Sequence, residues 1–104
     1  FITESTGYGG AISTMTGVDM NGKVTGVEFL EINETVGLGM NANKDSFKEQ
    51  FKGLVNGISV NKNTPGENEI KALTGATITS KATTKGVNTA LDIFENVLGG
   101  GKNG

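Results

Sequence analysis

The sequence predicts an α+β domain in which an antiparallel sheet carries a short helix and a long C-terminal helix. Three observations predict it. Ala11 to Asp19 and Val24 to Ile32 are rich in β-branched residues and flank Met20-Asn21-Gly22-Lys23, a strong hairpin signal. Phe47, Phe51, Leu54 and Val55 recur at i, i+4, i+7 and i+8, one face of a helical period. Thr83, Val87, Ala90, Leu91, Phe94, Val97 and Leu98 trace a second, longer stripe of the same period.

In chain order, Phe1 to Gly10 ends in Gly7-Tyr8-Gly9-Gly10 and reads as a flexible lead-in. The hairpin follows, with an Asn-Gly pair suited to the positive φ of a type I′ turn. In its second strand Val24, Leu30 and Ile32 fall on one face and Val27 and Phe29 on the other, so the strand reads as apolar on both sides. Gly17 and Gly26 inside these strands mark a bulge or a close approach. Asn33 to Met40 breaks the pattern and reads as a loop in which Gly37 and Gly39 bracket Leu38. Asp45 to Val55 is the short helix, with Asp45 or Ser46 as cap and Gly57 just beyond its end, and its two Phe belong to the core. Ile58 to Val60 reads as a short strand, Asn61 to Asn68 as a polar turn, and Glu69 to Ala72 as a returning strand. The long helix runs from about Thr79 to Leu98. Gly86 inside it costs roughly 1 kcal/mol relative to Ala and points to close packing on the sheet. Gly99-Gly100-Gly101 ends the helix, and the chain reads as one domain, 1–104, with 1–5 and 99–104 flexible.

Composition narrows the chemistry. The chain has 104 residues, 17 of them Gly and one Pro, which points to many tight turns. It has no Cys and no His, so zinc sites, iron–sulfur clusters, thiol nucleophiles and Ser-His-Asp catalysis are excluded by inventory. Net charge is −2 without a basic run, so nothing draws the chain to nucleic acid or to an anionic membrane surface. No apolar run approaches the ~20 residues needed to cross a bilayer, and no signal peptide is present. The first residue is Phe1 and not Met, which reads as a processed or excised piece.

The densest chemical signal lies just before the long helix. Leu73-Thr74-Gly75-Ala76-Thr77-Ile78-Thr79-Ser80 holds four hydroxyl side chains in eight residues. A helix N-terminus presents unpaired N–H groups and partial positive charge, so this stretch can seat a phosphate. On that local signal alone, Thr79 or Ser80 acting as an ordinary N-cap is the favoured reading.

The letters themselves change that weighting. Thr74-Gly75-Ala76-Thr77-Ile78-Thr79-Ser80 resembles the S/T-G-A-T-hydrophobe-T-S motif of the FMN-binding domain family, which includes the G subunit of the Rnf ferredoxin:NAD oxidoreductase and the C subunit of the sodium-translocating NADH:quinone oxidoreductase. Thr6-Gly7-Tyr8-Gly9-Gly10-Ala11-Ile12 is similar to the family's opening T-G-Y-x-G-x-I, Asn21 to Val27 to its hairpin, and Glu34-Thr35-Val36-Gly37-Leu38-Gly39 to its E-T-P-G-L-G loop, with Val36 where the family usually has Pro. The four stretches follow the family's order.

The resemblance implies covalent FMN, joined by a phosphoester bond to Thr77. It implies that Thr74, Gly75, Ala76, Ile78, Thr79, Ser80 and Lys81 surround the phosphate, and that Glu34, Thr35, Gly37, Leu38, Gly39 and Tyr8 contact the ring. No catalytic residue and no metal ligand is expected. The implied role is electron carriage in a membrane-bound Rnf-type or quinone-reductase-type ion-translocating complex, as a redox subunit without stand-alone catalysis. Implied partners are the other subunits and a flavin transferase that uses FAD and magnesium. The implied location is the extracytoplasmic face of a bacterial membrane, held by an anchor outside this sequence. The family usually has Asp three residues before the motif's first hydroxyl residue; Lys71 stands there. Two other readings remain: a noncovalent FMN module, and a structural cell-surface domain in which the hydroxyls only cap a helix.

Overall fold

The computed structural model describes residues 1–6, 10–32, 45–73 and 76–98. Strands β1 (Ile2–Thr6), β2 (Ala11–Val18) and β3 (Val24–Ile32) form an antiparallel sheet in the order β1-β2-β3. Helix α1 (Asp45–Lys48) continues as a 3-10 turn, Glu49–Phe51. Strands β4 (Ser59–Asn61) and β5 (Glu69–Lys71) form a separate two-stranded parallel ladder. Helix α2 (Thr77–Ile93) packs on β1 and β2 and ends in a π-helical turn, Phe94–Leu98. The expected α+β fold with its antiparallel sheet and long final helix is present.

The sheet buries one face. Its inward residues are Thr3 and Ser5 of β1, Ile12, Thr14, Thr16 and Val18 of β2, and Val24, Val27, Phe29 and Ile32 of β3, matched across the ladders. Strict alternation cannot put Val24, Val27, Phe29 and Ile32 together. Register shifts opposite Gly17/Val18 and Ser13/Thr14 leave Thr25 and Leu30 as extra residues, and each such bulge moves the following side chain to the other face. The expectation that β3 is apolar on both sides is therefore corrected: the bulges gather its core residues on one face and leave only Leu30, 54% exposed, outside. Gly17 lies against the Thr25 bulge, where a Cβ would meet Thr25 Oγ1.

The hairpin is present, but its turn is not the expected I′ type. Gly22 N donates to Asp19 O and Asp19 N to Lys23 O. Gly22 has φ +82° while Asn21 does not take positive φ. This is a three-residue loop with a glycine bulge. Asp19 explains the preference, because its Oδ1 accepts from both Asn21 N and Lys23 N.

Two further expectations change. Residues 2–5 are not a flexible lead-in but pair with β2 from Ile2↔Met15 to Thr6↔Ala11, and Thr3 and Ser5 donate their hydroxyls to Gly86 O and Ala82 O on α2. The short helix ends at Phe51, not Val55. Lys52 turns extended, Gly53 N donates to Val24 O, and Val24 N donates to Leu54 O, so the backbone of 53–54 is bound to β3 instead. Leu54 packs beside the core and Val55 is exposed. The expected cap side chains, Asp45 and Ser46, lie outside what the structure describes, as do 7–9, the 33–44 loop and the 99–104 tail.

Phe47 and Phe51 are fully buried with their rings edge to face at 5.7 Å, as a core pair should be. With Val24, Val27, Ile58, Ile70, Val87 and Leu91 they form the hydrophobic core. The stripe expected on α2 is buried from Thr83 through Phe94, but Val97 is 70% exposed.

Candidate functional site: the start of helix α2

Strand β5 delivers the chain to the site. Gln50 holds Lys71 from the side, accepting from Lys71 N at 2.7 Å and donating to Lys71 O at 3.2 Å, while the lysine side chain is exposed. A tight turn follows. Ala76 N donates to Leu73 O at 3.0 Å. Thr74 and Gly75 themselves lie outside the described residues, and so do Tyr8, Glu34, Thr35, Gly37, Leu38 and Gly39.

Helix α2 begins two residues earlier than expected. Its N-cap is Ala76, with φ −140° and ψ 47°, and among the described residues no side chain caps it. The expectation of a Thr79 or Ser80 cap is corrected. Both are inside the first turn and buried, Thr79 at 1% and Ser80 at 0% exposure. Ser80 Oγ accepts from Leu73 N at 2.9 Å and donates to Ala76 O at 2.9 Å. Thr83 and Thr84 donate back to Thr79 O and Ser80 O one turn earlier, the usual bond of a hydroxyl within a helix. The sequence held no sign of the Ser80 bridge, because the 73/76/80 relationship depends on the helix starting at Thr77.

Thr77 differs from these neighbours. It is the first helical residue and is half-buried, and among the described residues no hydrogen bond engages its hydroxyl. Ile78 beside it is 52% exposed. The first turn contains no acidic residue, and Lys81 follows one turn on, exposed. From Lys81 an open groove of about 510 Å³ runs between α2 and β4, lined by Ser59, Val60, Lys85 and Asn88 among others. Asp92 stands at the far part of this groove, and it is the helix start that suits an anion. The N-cap, Ala76, brings no capping side chain, the helix dipole favours negative charge, and no acidic residue stands in the first turn. This start therefore fits a phosphate held at Thr77.

A sequence profile of the FMN-binding domain family matches residues 7–92. The G subunit of the proton-translocating ferredoxin:NAD(+) oxidoreductase complex of Clostridium ljungdahlii is 48% identical over 98 residues, covering 93% of this chain and 53% of that protein. The G subunit of the Na(+)-translocating ferredoxin:NAD(+) oxidoreductase complex of Acetobacterium woodii is 40% identical over 97 residues, covering 89% and 46%. Among solved structures, the C subunit of the Na(+)-translocating NADH-quinone reductase from Parabacteroides distasonis matches with a TM-score of 0.75 at 25% identity, over 89% of this chain and 52% of that one. Shewanella oneidensis NqrC matches with a TM-score of 0.79 over 99% and 54%; at 17% identity that likeness speaks for the fold alone. The chain thus spans about half the length of the curated relatives it matches.

Proposed function

This chain belongs to the FMN-binding domain family, and from that membership we propose that it is an electron-transfer domain whose FMN is joined by a phosphoester bond to the Thr77 hydroxyl. The observation that carries the proposal is the half-buried hydroxyl of Thr77, which no hydrogen bond engages among the described residues, at a helix start whose N-cap is an alanine. Bound FMN supplies the redox chemistry, and the protein supplies position and electrostatics.

Thr77 anchors the phosphate, while the N-terminal turn of α2 and Lys81 offset its charge. By resemblance, Thr74, Gly75, Ala76 and Ile78 surround the phosphate, whereas the Thr79 side chain is buried on the core side, behind them. By resemblance, Gly37, Leu38 and Gly39 take the ring, with Glu34, Thr35 and Tyr8 at its edge. A covalent tether prevents loss of the cofactor without deep burial of the ring, which suits electron exchange with a protein.

The similarity to G subunits of ion-translocating ferredoxin:NAD(+) oxidoreductase complexes supports a place in such a membrane complex, as a redox subunit with the other subunits as partners. The proposed location is the extracytoplasmic face, held by an anchor outside this sequence. Maturation falls to a flavin transferase that takes FMN from FAD. Lys71 favours the second reading, noncovalent FMN, because its exposed cation stands on the approach to the motif where the family usually has Asp.

The test is intact mass after co-expression with a flavin transferase, followed by peptide mapping. A gain of FMN minus water at Thr77, lost in Thr77→Val while the fold is kept, is the expected result. An unmodified mass, with the transferase active on a control domain, refutes covalent attachment and leaves the noncovalent reading. Covalent flavin persisting in Thr77→Val refutes the assignment of the residue.

A further inference from the structure

We propose that Ser80 is the positioning residue for modification of Thr77: its buried hydroxyl fixes the turn from which the Thr77 hydroxyl is presented. The inference rests on the reading of Thr77 as the attachment point.

Its place in the sequence makes Ser80 look like a phosphate contact. Its surroundings assign it another task. The side chain is fully buried, and its oxygen serves Leu73 N and Ala76 O at once, each at 2.9 Å. Ser80 N donates to the same Ala76 carbonyl at 3.0 Å, and Ala76 N closes onto Leu73 O. Leu73 and Ala76, the N-cap that immediately precedes Thr77, are therefore both tied to one side chain from the core side.

The arrangement answers a conflict at an anion-accepting helix start. The usual stabiliser of such a start is Ser, Thr, Asp or Asn at the N-cap, whose side-chain oxygen occupies the N–H groups of the first turn. Those are the groups a phosphate needs, and an Asp would also repel it. Here the N-cap is Ala76, with no side chain to compete, and the holding of the turn is moved to Ser80 behind it. Leu73 and Ala76 are held from the core side, with no capping side chain at the N-cap itself.

In the transfer step the Thr77 oxygen bonds to the FMN-side phosphorus of FAD, the pyrophosphate bond breaks, AMP leaves and the hydroxyl proton is lost to solvent. Without the Ser80 bridge the turn samples other conformations, and the Thr77 oxygen is in line with the phosphorus for a smaller share of the time.

The experiment measures initial rates of FMN incorporation into the purified domain by a flavin transferase with FAD and magnesium, as a function of domain concentration. Ser80→Ala is expected to lower kcat about tenfold or more with little change in KM, the pattern of misplacement and not of lost binding. Ser80→Thr, which keeps the hydroxyl, is expected to recover most of the rate. Thr83→Val is the control, because it removes a similarly buried hydroxyl whose bond stays within the helix. Should Ser80→Ala fail to fold, Ser80→Cys keeps the volume, weakens the bonds and must show the same loss. A wild-type rate in the folded Ala or Cys variant, or an equal loss in Thr83→Val, overturns the proposal. A wild-type chain that stays unmodified beside an active control removes the attachment reading and this role with it. A modification mapped to a residue other than Thr77 has the same consequence.

Discussion

Substituting Gly86 by Ala tests how α2 is held on the sheet, and the answer should depend on one hydroxyl. A Cβ at Gly86 would sit 3.0 Å from Thr3 Oγ1, which itself donates to Gly86 O at 2.9 Å. Alanine gains about 1 kcal/mol of helix propensity over glycine. Against this, the hydroxyl must retreat by a few tenths of an ångström, and Thr3 is only 7% exposed. A buried hydroxyl that loses its partner costs about 1–3 kcal/mol, so the net effect is destabilisation by about 1 kcal/mol. With Thr3→Ala already in place, the nearest remaining atoms, Ser5 Oγ and Thr14 Oγ1, lie at 3.7 Å, ordinary contact. In that background Gly86→Ala should stabilise by about 1 kcal/mol. The sign reverses and the coupling is about 2 kcal/mol, well above the ~0.3–0.5 kcal/mol scatter of independent sites. Urea unfolding of the four proteins, followed by far-ultraviolet circular dichroism, measures it. An effect of the same sign and size in both backgrounds refutes the reasoning.

Other substitutions probe separate parts of the fold. Asn88 accepts from Gly57 N and Ile58 N and donates to Ile58 O, so Asn88→Ala should lower stability by about 2–3 kcal/mol, and Asn88→Asp, which keeps the acceptor, by less; thermal melting reads both. Gly22→Ala forces φ +82° on a residue with a Cβ and should cost about 1–2 kcal/mol, with Gly22→Asn milder, by urea midpoint. The Phe94 ring, 3.6 Å from the added Cβ, does not obstruct it. Phe51→Ala empties the centre of the core and should cost about 3–5 kcal/mol, enough to leave a measurable unfolded fraction by circular dichroism without denaturant.

The sequence is most legible where apolar residues follow one period without interruption. The stripe from Thr83 to Phe94 and the Phe47/Phe51 pair are such cases, and both are core. The span of β3 is legible but its facing only in part: Gly17 and Gly26 point to the bulge at Thr25, while nothing in the letters marks Leu30 as a second. Strand β1 escapes notice for a different reason. Its inward residues are Thr3 and Ser5, which meet helix carbonyls and not apolar side chains, so a search for hydrophobic alternation passes over them. The end of α1 is set by tertiary pairing of 53–54 with Val24, and the parallel pairing of β4 with β5 is likewise a matter of distant partners. At the candidate site the motif is plain, but its N-cap is an alanine, a residue that does not suggest a helix start.

The distribution of hydroxyls around that start also bears on which threonine would accept the flavin under the proposed attachment. Thr77, Thr79 and Ser80 are neighbours in sequence, but successive residues turn by about 100° around a helix, so Thr79 points about 200° away from Thr77. Thr79 is 1% exposed and faces the core, and Ser80 is engaged twice by the backbone. A transferase carrying FAD could reach either only by opening the first turn of α2, whereas Thr77 needs no such opening. Accessibility thus favours the same residue as the motif does, and on independent grounds. It follows that Thr79→Val should leave the site of modification unchanged. Flavin that follows Thr79 instead, lost in Thr79→Val and kept in Thr77→Val, would mean that the first turn opens during transfer and that burial is no guide to the acceptor.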